Sequence, residues 1–306
     1  MRRLGSTVIA TALAVLVALP GLAQADDDPL FVSWTDIAPA LSPGYDPDSD
    51  NLCKKGHENC VHSVIKEMER RFAPLADSCH FNAVFALTYL RTTEIYHEFW
   101  HEGQFADPNW LNHYDAWFGE YYFRAYDAYY KENKGTAPEA WQIAFAASDD
   151  KRVSGMGNVL LGMSAHINRD LPFVLYEIGL AAPDGTSRKP DHDKVNEFLN
   201  RVSGEVFAEL ARRFDPTVDD GNVPGTTLDD TLTFQAVPAW REQAWRNAEA
   251  LANASTDAER ALVAAQIEEY AAGAARTIRD ATAYGLLSPS TATDRDAYCA
   301  EHNWDS

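Results

Sequence analysis

GMGNVLLGMSAHINRDLPFVLYEIG, residues 155–179, is the stretch that decides the fold class. Its apolar residues cover nearly the whole circumference of a helix, which predicts a central, buried helix. His166 and Asp170 interrupt the apolar surface four residues apart and therefore lie on one face. Because an isolated buried carboxylate is costly, Asp170 needs a cation, a metal ion or several hydrogen-bond donors.

Pro172 adds an irregularity to this helix. Its ring clashes with the carbonyl of Asn168, and it has no N–H to give to that oxygen. The helix is therefore predicted to kink beside the imidazole and the carboxylate. Two interpretations stay open. Either His166 and Asp170 bind a metal ion or act in catalysis, or they hydrogen-bond to each other and to an arginine in a structural role.

Helical periodicity elsewhere predicts an all-α fold, a single domain of about eight helices around one central buried helix. The predicted helices cover residues 58–72, 79–100, 109–133, 138–147, 155–179, 191–214, 238–252 and 257–284. Only residues 30–34 and 231–234 show weak strand character. Residues 26–56, rich in Pro, Asp and Ser, predict an irregular arm before a helical domain at 57–306.

The first 25 residues have the features of a signal peptide. Two arginines follow Met1, residues 8–19 are apolar, and Ala23-Gln24-Ala25 provides a small-x-small cleavage site. The apolar stretch is too short to cross a bilayer, which takes roughly 20 residues, and no later segment is apolar enough. We therefore expect cleavage after Ala25, a secreted protein and no stable membrane insertion.

The net charge of the chain limits the partners that the protein can have. The net charge of −20 becomes −22 when the signal peptide takes its two arginines away. A surface this acidic repels nucleic-acid backbones and anionic membranes. We therefore expect no nucleic-acid partner.

Four cysteines in an oxidising compartment predict two disulfides. Of the three possible pairings we favour Cys53–Cys60 with Cys79–Cys299.

A second polar group lies in the predicted helix at 79–100. Glu94, His97, Glu98 and His101 follow one another at i, i+3, i+4 and i+7, on one face. The group contains E-x-x-H twice, the spacing used by carboxylate-bridged di-iron bundles, but no other helix of the chain carries it. We interpret His97, Glu98 and His101 as a solvated helix end, and Glu94, deeper in the helix, as a candidate metal ligand.

Trp110, Tyr114, Trp117 and Tyr121 form an aromatic stripe, which we interpret as core. Asp115 falls on a neighbouring face, where it is either solvated or paired with a buried partner.

Two later segments supply further candidates. His192 and Asn196 share a helix face, unless Asp191 merely caps that helix and leaves His192 exposed. Arg241 is a cation that can neutralise a buried acid.

The string GMSAHINRDLP at 162–172 resembles the hallmark segment of the bacterial domain-of-unknown-function family 5995, whose activity is not established. Asp107-Pro108, the stretch at 192–196 and the tryptophan-rich stretch at 240–245 are similar to the family's other motifs, in the same order. The resemblance covers about residues 60–255. It places these residues in the family's motifs: Asp115, His166, Asn168, Asp170, His192, Asn196 and Arg241.

The chain is also similar, more loosely, to the zinc-dependent phospholipase C and single-strand nuclease fold. Those secreted helical proteins bind zinc through His-x-x-x-Asp pairs, a spacing that His166 and Asp170 match. They also use the mature N-terminal residue as a ligand, usually Trp, whereas this mature chain is expected to begin at Asp26.

These patterns favour a metal-dependent enzyme, a hydrolase, acting on a small-molecule or lipid substrate. The candidate metal ligands are His166, Asp170, Glu94 and His192. Zinc is the preferred ion, with iron or calcium as alternatives. The candidate catalytic residues are Asp115, Asn168 and Arg241. The alternative is a metal-free binding protein for a small or lipidic ligand, with a purely structural polar cluster. A third hypothesis is an iron-dependent oxidase. The oligomeric state stays open.

Overall fold

The computed structural model describes residues 44–218, 228–286 and 288–303, and these residues contain ten α-helices and no β-strand. The helices are α1 (Glu58–Asp77), α2 (Ala83–Trp100), α3 (Pro108–Asp127), α4 (Glu139–Asp149), α5 (Gly155–Ser164), α6 (Leu171–Ile178), α7 (Lys189–Arg213), α8 (Leu228–Asn253), α9 (Asp257–Thr282) and α10 (Ala292–His302). The predicted all-α fold in a single domain is confirmed.

Side-chain caps fix where the helices around the centre begin. Asp107 accepts a hydrogen bond from the backbone N–H of Trp110 at the start of α3. Ser154 accepts one from Gly157 at the start of α5, and Thr256 opens α9 with a capping box. Each cap satisfies backbone donors that have no partner within the helix. Each of these three helices therefore begins at a defined residue.

The helix type changes just before Pro172 in the central segment. Between α5 and α6, Ala165–Asp170 form a π-helical turn. The N–H of Leu171 reaches back five residues to the carbonyl of His166, and Pro172 becomes an early residue of α6. The wider turn accommodates a residue that cannot donate a hydrogen bond. This π-turn packs against α3, α4, α8 and α9, so it lies at the centre of the fold.

Close packing surrounds the π-turn. A Cβ at Gly162 would lie 2.2 Å from the ring of Phe85, so only glycine lets α5 approach α2 this closely. The aromatic stripe of α3 is buried, as predicted, with its four members at most 5% exposed.

α8 and α10 depart furthest from the prediction. α8 begins at Leu228, and Pro238 lies inside it, so residues 231–234 are helical and the weak strand prediction there is wrong. A single interior proline removes only one backbone hydrogen bond, which the packing of a long helix can offset. α10 was not predicted because it is short and largely polar. It is held by Arg295, whose guanidinium lies 3.7 Å from the ring centroid of Phe81.

Both predicted disulfides are confirmed. Cys53–Cys60 closes a small loop before α1, and Cys79–Cys299 ties α10 to the region between α1 and α2. They are compatible with a secreted protein. None of the described helices combines the length and apolar character that a membrane crossing requires. The predicted signal peptide and the strand candidate at 30–34 lie outside the described residues.

Candidate functional site

A cavity of about 150 Å³ lies beside the π-turn, between α2, α3, α7 and α8. Its walls are mostly apolar, with Phe85, Leu111, Phe118, Ile167 and Phe198 among the lining side chains. Few polar groups reach it. An apolar cavity with a small number of placed polar groups is typical of a small-molecule site.

His166 and Asp170 form a hydrogen-bonded pair on one side of the cavity. The Nδ1 atom of His166 lies 2.9 Å from Oδ2 of Asp170, so the imidazole donates and the carboxylate accepts. Asp170, with no exposed surface, also accepts hydrogen bonds of 2.9 Å from Trp141 Nε1 and from Arg169 Nη1. Three donors and one positive charge therefore compensate its burial. His166 and Asp170 thus hydrogen-bond to each other and Asp170 to an arginine, Arg169.

The His166 ring is clamped flat against Phe118, with centroids 3.4 Å apart and planes 6° apart. Burial lowers the pKa of His166, and the hydrogen bond to Asp170 opposes that effect. With its proton on Nδ1, the neutral imidazole has a free lone pair on Nε2. This buried atom has no hydrogen-bond partner among the described residues, and the side chain lines the cavity. The pair therefore leaves one buried acceptor unused on a side chain that lines the cavity.

Asp115 lines the same cavity from α3. Its Oδ2 atom is buried and has no hydrogen-bond partner in the described part of the chain. Burial raises the pKa of this carboxyl from 3.8 to about 7. Part of the side chain still has accessible surface, because it borders the cavity. Near neutral pH, Asp115 can therefore either donate or accept a hydrogen bond.

Arg241 is the cation of the cavity wall. Its Nε donates to Oδ1 of Asn196 at 2.8 Å, and Nη2 donates to the backbone oxygen of His192 at 2.6 Å. Nη1 has only a long contact, 3.5 Å, to the Tyr114 hydroxyl. Arg241 is 4% exposed, and no described carboxylate forms an ion pair with it. Among the described residues, neutral groups alone meet its charge.

His192 belongs to this network and is not exposed. It is 1% exposed, and its Nδ1 lies 3.3 Å from the Tyr114 hydroxyl. Burial and the nearby Arg241 keep its pKa well below the ordinary value. Asp191 does not cap its own helix but accepts hydrogen bonds from the backbone N–H groups of Ala106 and Asp107. The interpretation of His192 as an exposed residue is therefore wrong.

The other predicted site residues lie elsewhere. Glu94 pairs with Arg91 at 2.8 Å and does not line the cavity. Asn168 donates to Ser164 at 3.0 Å, and its Oδ1 atom is buried without a partner among the described residues. Within the described ranges, no three of the four predicted metal ligands bring their ligand atoms within 4.8 Å of one another.

Potential ligand atoms do converge elsewhere. Within the described ranges, those of Glu58, His97 and His101 all lie within 4.8 Å of one another.

A comparison with known proteins identifies the family. Its model, described as a family of unknown function (DUF5995), matches residues 61–281. The chain belongs to DUF5995. No curated protein and no solved structure matches the chain. In this DUF5995 member the motif at 162–172 forms the end of α5, the π-turn and the start of α6.

Sequence reasoning missed several groups that shape the site. Arg169 stands next to Asp170 in the sequence, and its charge was a usable signal for the ion pair. Trp141 and Phe118 come from other helices, and nothing in their local sequence marks them as partners of the pair. Tyr89, whose buried hydroxyl has no partner among the described residues, is likewise hidden among the apolar residues of α2.

Proposed function

We propose that this protein binds a small, mostly apolar molecule with one acidic group, in the cavity beside the π-turn. The observation that carries the proposal is Arg241. It is a buried cation on the wall of an apolar cavity, and no described carboxylate neutralises it. A buried charge is costly without a counter-charge. The carboxylate of a ligand would supply one beside Nη1, whose contact with the Tyr114 hydroxyl is long, 3.5 Å.

The remaining polar groups support the same ligand class. His166 and Asn196 offer fixed polar atoms near the apolar wall, so a ligand with a second oxygen would find a partner. An apolar cavity of about 150 Å³ suits a molecule of on the order of six to ten non-hydrogen atoms, since a cavity of that size holds benzene. A short-chain or aromatic carboxylic acid has the required size and charge.

The test is a calorimetric titration of the mature protein with hexanoate and with hexan-1-ol, which has the same chain without the charge. Wild-type protein is expected to bind hexanoate more tightly. Arg241→Gln should weaken hexanoate binding about tenfold or more, the worth of a charged hydrogen bond. Arg246→Gln is the matched control on the exposed face of α8, and should change the affinity by less than about twofold.

A second variant keeps the test decisive if Arg241→Gln does not fold. Val195→Phe places a larger side chain at the cavity wall, and should abolish binding of both compounds by filling the space. Equal affinities for hexanoate and hexan-1-ol, or hexanoate binding that survives both substitutions, would rule out the proposed ligand class.

Acid–base catalysis is a second candidate, favoured by the pairing of His166 with Asp170. The carboxylate orients the imidazole and leaves Nε2 as a base, while Asp115, with a pKa of about 7, can return a proton. Diethyl pyrocarbonate, which acylates neutral imidazoles, should modify His166, and hexanoate should protect it. If mass spectrometry finds exposed His101 modified and His166 untouched, the imidazole is inaccessible and this candidate fails.

Metal-dependent hydrolysis at His166 and Asp170 stays a prediction from the sequence. The spacing that resembles the zinc-dependent phospholipase C fold is used here for a direct hydrogen bond between the two side chains. Elemental analysis of the purified protein tests the idea. We also propose that the protein is exported, and N-terminal sequencing of the mature protein should begin at Asp26.

A further inference from the structure

A group of three ligand-type side chains lies at the surface, where α1 begins and α2 ends. Glu58 is the first residue of α1, His97 lies in the last turn of α2, and His101 directly follows the end of that helix. None of the three lines the cavity. The group therefore belongs to a different part of the molecule from the proposed ligand site.

The geometry of this group is close to that of a metal site. The potential ligand atoms of Glu58, His97 and His101 all lie within 4.8 Å of one another. Two atoms bound to the same zinc ion stand about 3.4 Å apart, given bond lengths of about 2.1 Å. The side chains of Glu58 and His101 are 38% and 55% exposed, so they are free to rotate over the remaining distance.

His97 is held in place and lacks a polar partner. Its Nε2 atom is buried and has no hydrogen-bond partner within the described ranges. Its ring lies between those of His62 and His101, with centroids 4.5 and 4.9 Å away, and parallel to Trp100 at 6.4 Å. A packed imidazole with an unused nitrogen is a preformed ligand, so little ordering is needed on binding.

The backbone around the group is also fixed. The Cys53–Cys60 disulfide anchors the first turn of α1, and α1 packs along α2. The chain's net charge of −20 raises the local concentration of cations at its surface.

We propose that Glu58, His97 and His101 bind one Zn²⁺ ion, with water in the fourth position. Two imidazoles and one carboxylate are a ligand set that zinc accepts in proteins, and such a set leaves one position open. The ion would cross-link the start of α1 to the end of α2. It would therefore stabilise the fold independently of the cavity.

The experiment is a calorimetric titration of the mature, tag-free protein with ZnCl₂, together with thermal unfolding with and without the ion. Wild-type protein is expected to bind one ion and to unfold at a higher temperature in its presence. The double variant His97→Ala/His101→Ala should bind more than about tenfold more weakly and lose the thermal shift. His302→Ala, which removes an imidazole from α10, should behave like the wild type.

Glu58→Gln keeps the size of the side chain and removes its charge, and gives a second test if the double variant does not fold. It should also weaken binding about tenfold. The proposal is overturned if wild-type protein shows no saturable binding of ZnCl₂. It is equally overturned if the folded variants bind the ion as tightly as the wild type.

Discussion

Replacement of Asp115 by asparagine should stabilise the protein, and more so at about pH 8 than at about pH 5. Burial raises the pKa of this carboxyl from 3.8 in the unfolded chain to about 7. Between those values the folded state keeps a proton that the unfolded state has released. The wild-type stability is therefore full below the unfolded pKa and falls as the pH rises through about 7.

The size of the effect follows from the shift. About three pKa units at about 1.4 kcal/mol each set an upper limit of about 4 kcal/mol for the cost of the ionised carboxylate. Roughly two thirds of that change falls between about pH 5 and about pH 8 when the pKa moves from 3.8 to about 7, so the advantage of Asp115→Asn should grow by up to about 3 kcal/mol between these pH values.

Urea unfolding followed by tryptophan fluorescence measures this difference. The free energy of unfolding is compared between Asp115→Asn and wild type at both pH values. Asp150→Asn, on the surface at the end of α4, is the matched control and should show no pH-dependent gain. If the advantage of Asp115→Asn is the same at both pH values, burial does not raise the pKa of this carboxyl and the prediction is wrong.

Three further outcomes are expected. Gly162→Ala should destabilise the fold by about 1–3 kcal/mol, because the new methyl group displaces the ring of Phe85, and should weaken hexanoate binding as that ring moves into the cavity. Removal of the disulfide by Cys79→Ser with Cys299→Ser should lower the free energy of unfolding by about 5 kcal/mol, because the closed loop is long. Unfolding should then reach its midpoint at a lower urea concentration. Trp141→Phe removes a donor to the buried carboxylate of the central pair, and should cost about 1–3 kcal/mol in urea unfolding.

The fold class could be predicted from the sequence because helical periodicity is a local signal, and the two disulfides because the number of cysteines is even. The apolar run around His166 indicated the central helix, and Pro172 indicated where it would deviate. The form of the deviation could not be predicted, since a π-turn over Ala165–Asp170 depends on the helices that pack around it. α10 was missed for a related reason. Its stability comes from contacts of Arg295 and Cys299 with distant parts of the chain.

The candidate site was predicted in part. Asp115, His166 and Arg241 were singled out, and the structure brings all three to one cavity. Glu94 is predicted as a ligand because it lies well inside a helix. That position does not show which way the side chain points, and in the structure Glu94 pairs with Arg91 of the same helix. His101 was interpreted as a solvated end. Its proximity to Glu58 depends on how α1 packs on α2, which no local pattern contains.

The bond between Cys79 and Cys299 spans 220 residues, and this affects how the molecule responds to proteases. A protease that cuts any surface loop between the two cysteines leaves the pieces covalently joined and packed around one core. Such a nicked molecule keeps its full mass until the disulfide is reduced. A single cut would then change the chain's connectivity without releasing a fragment.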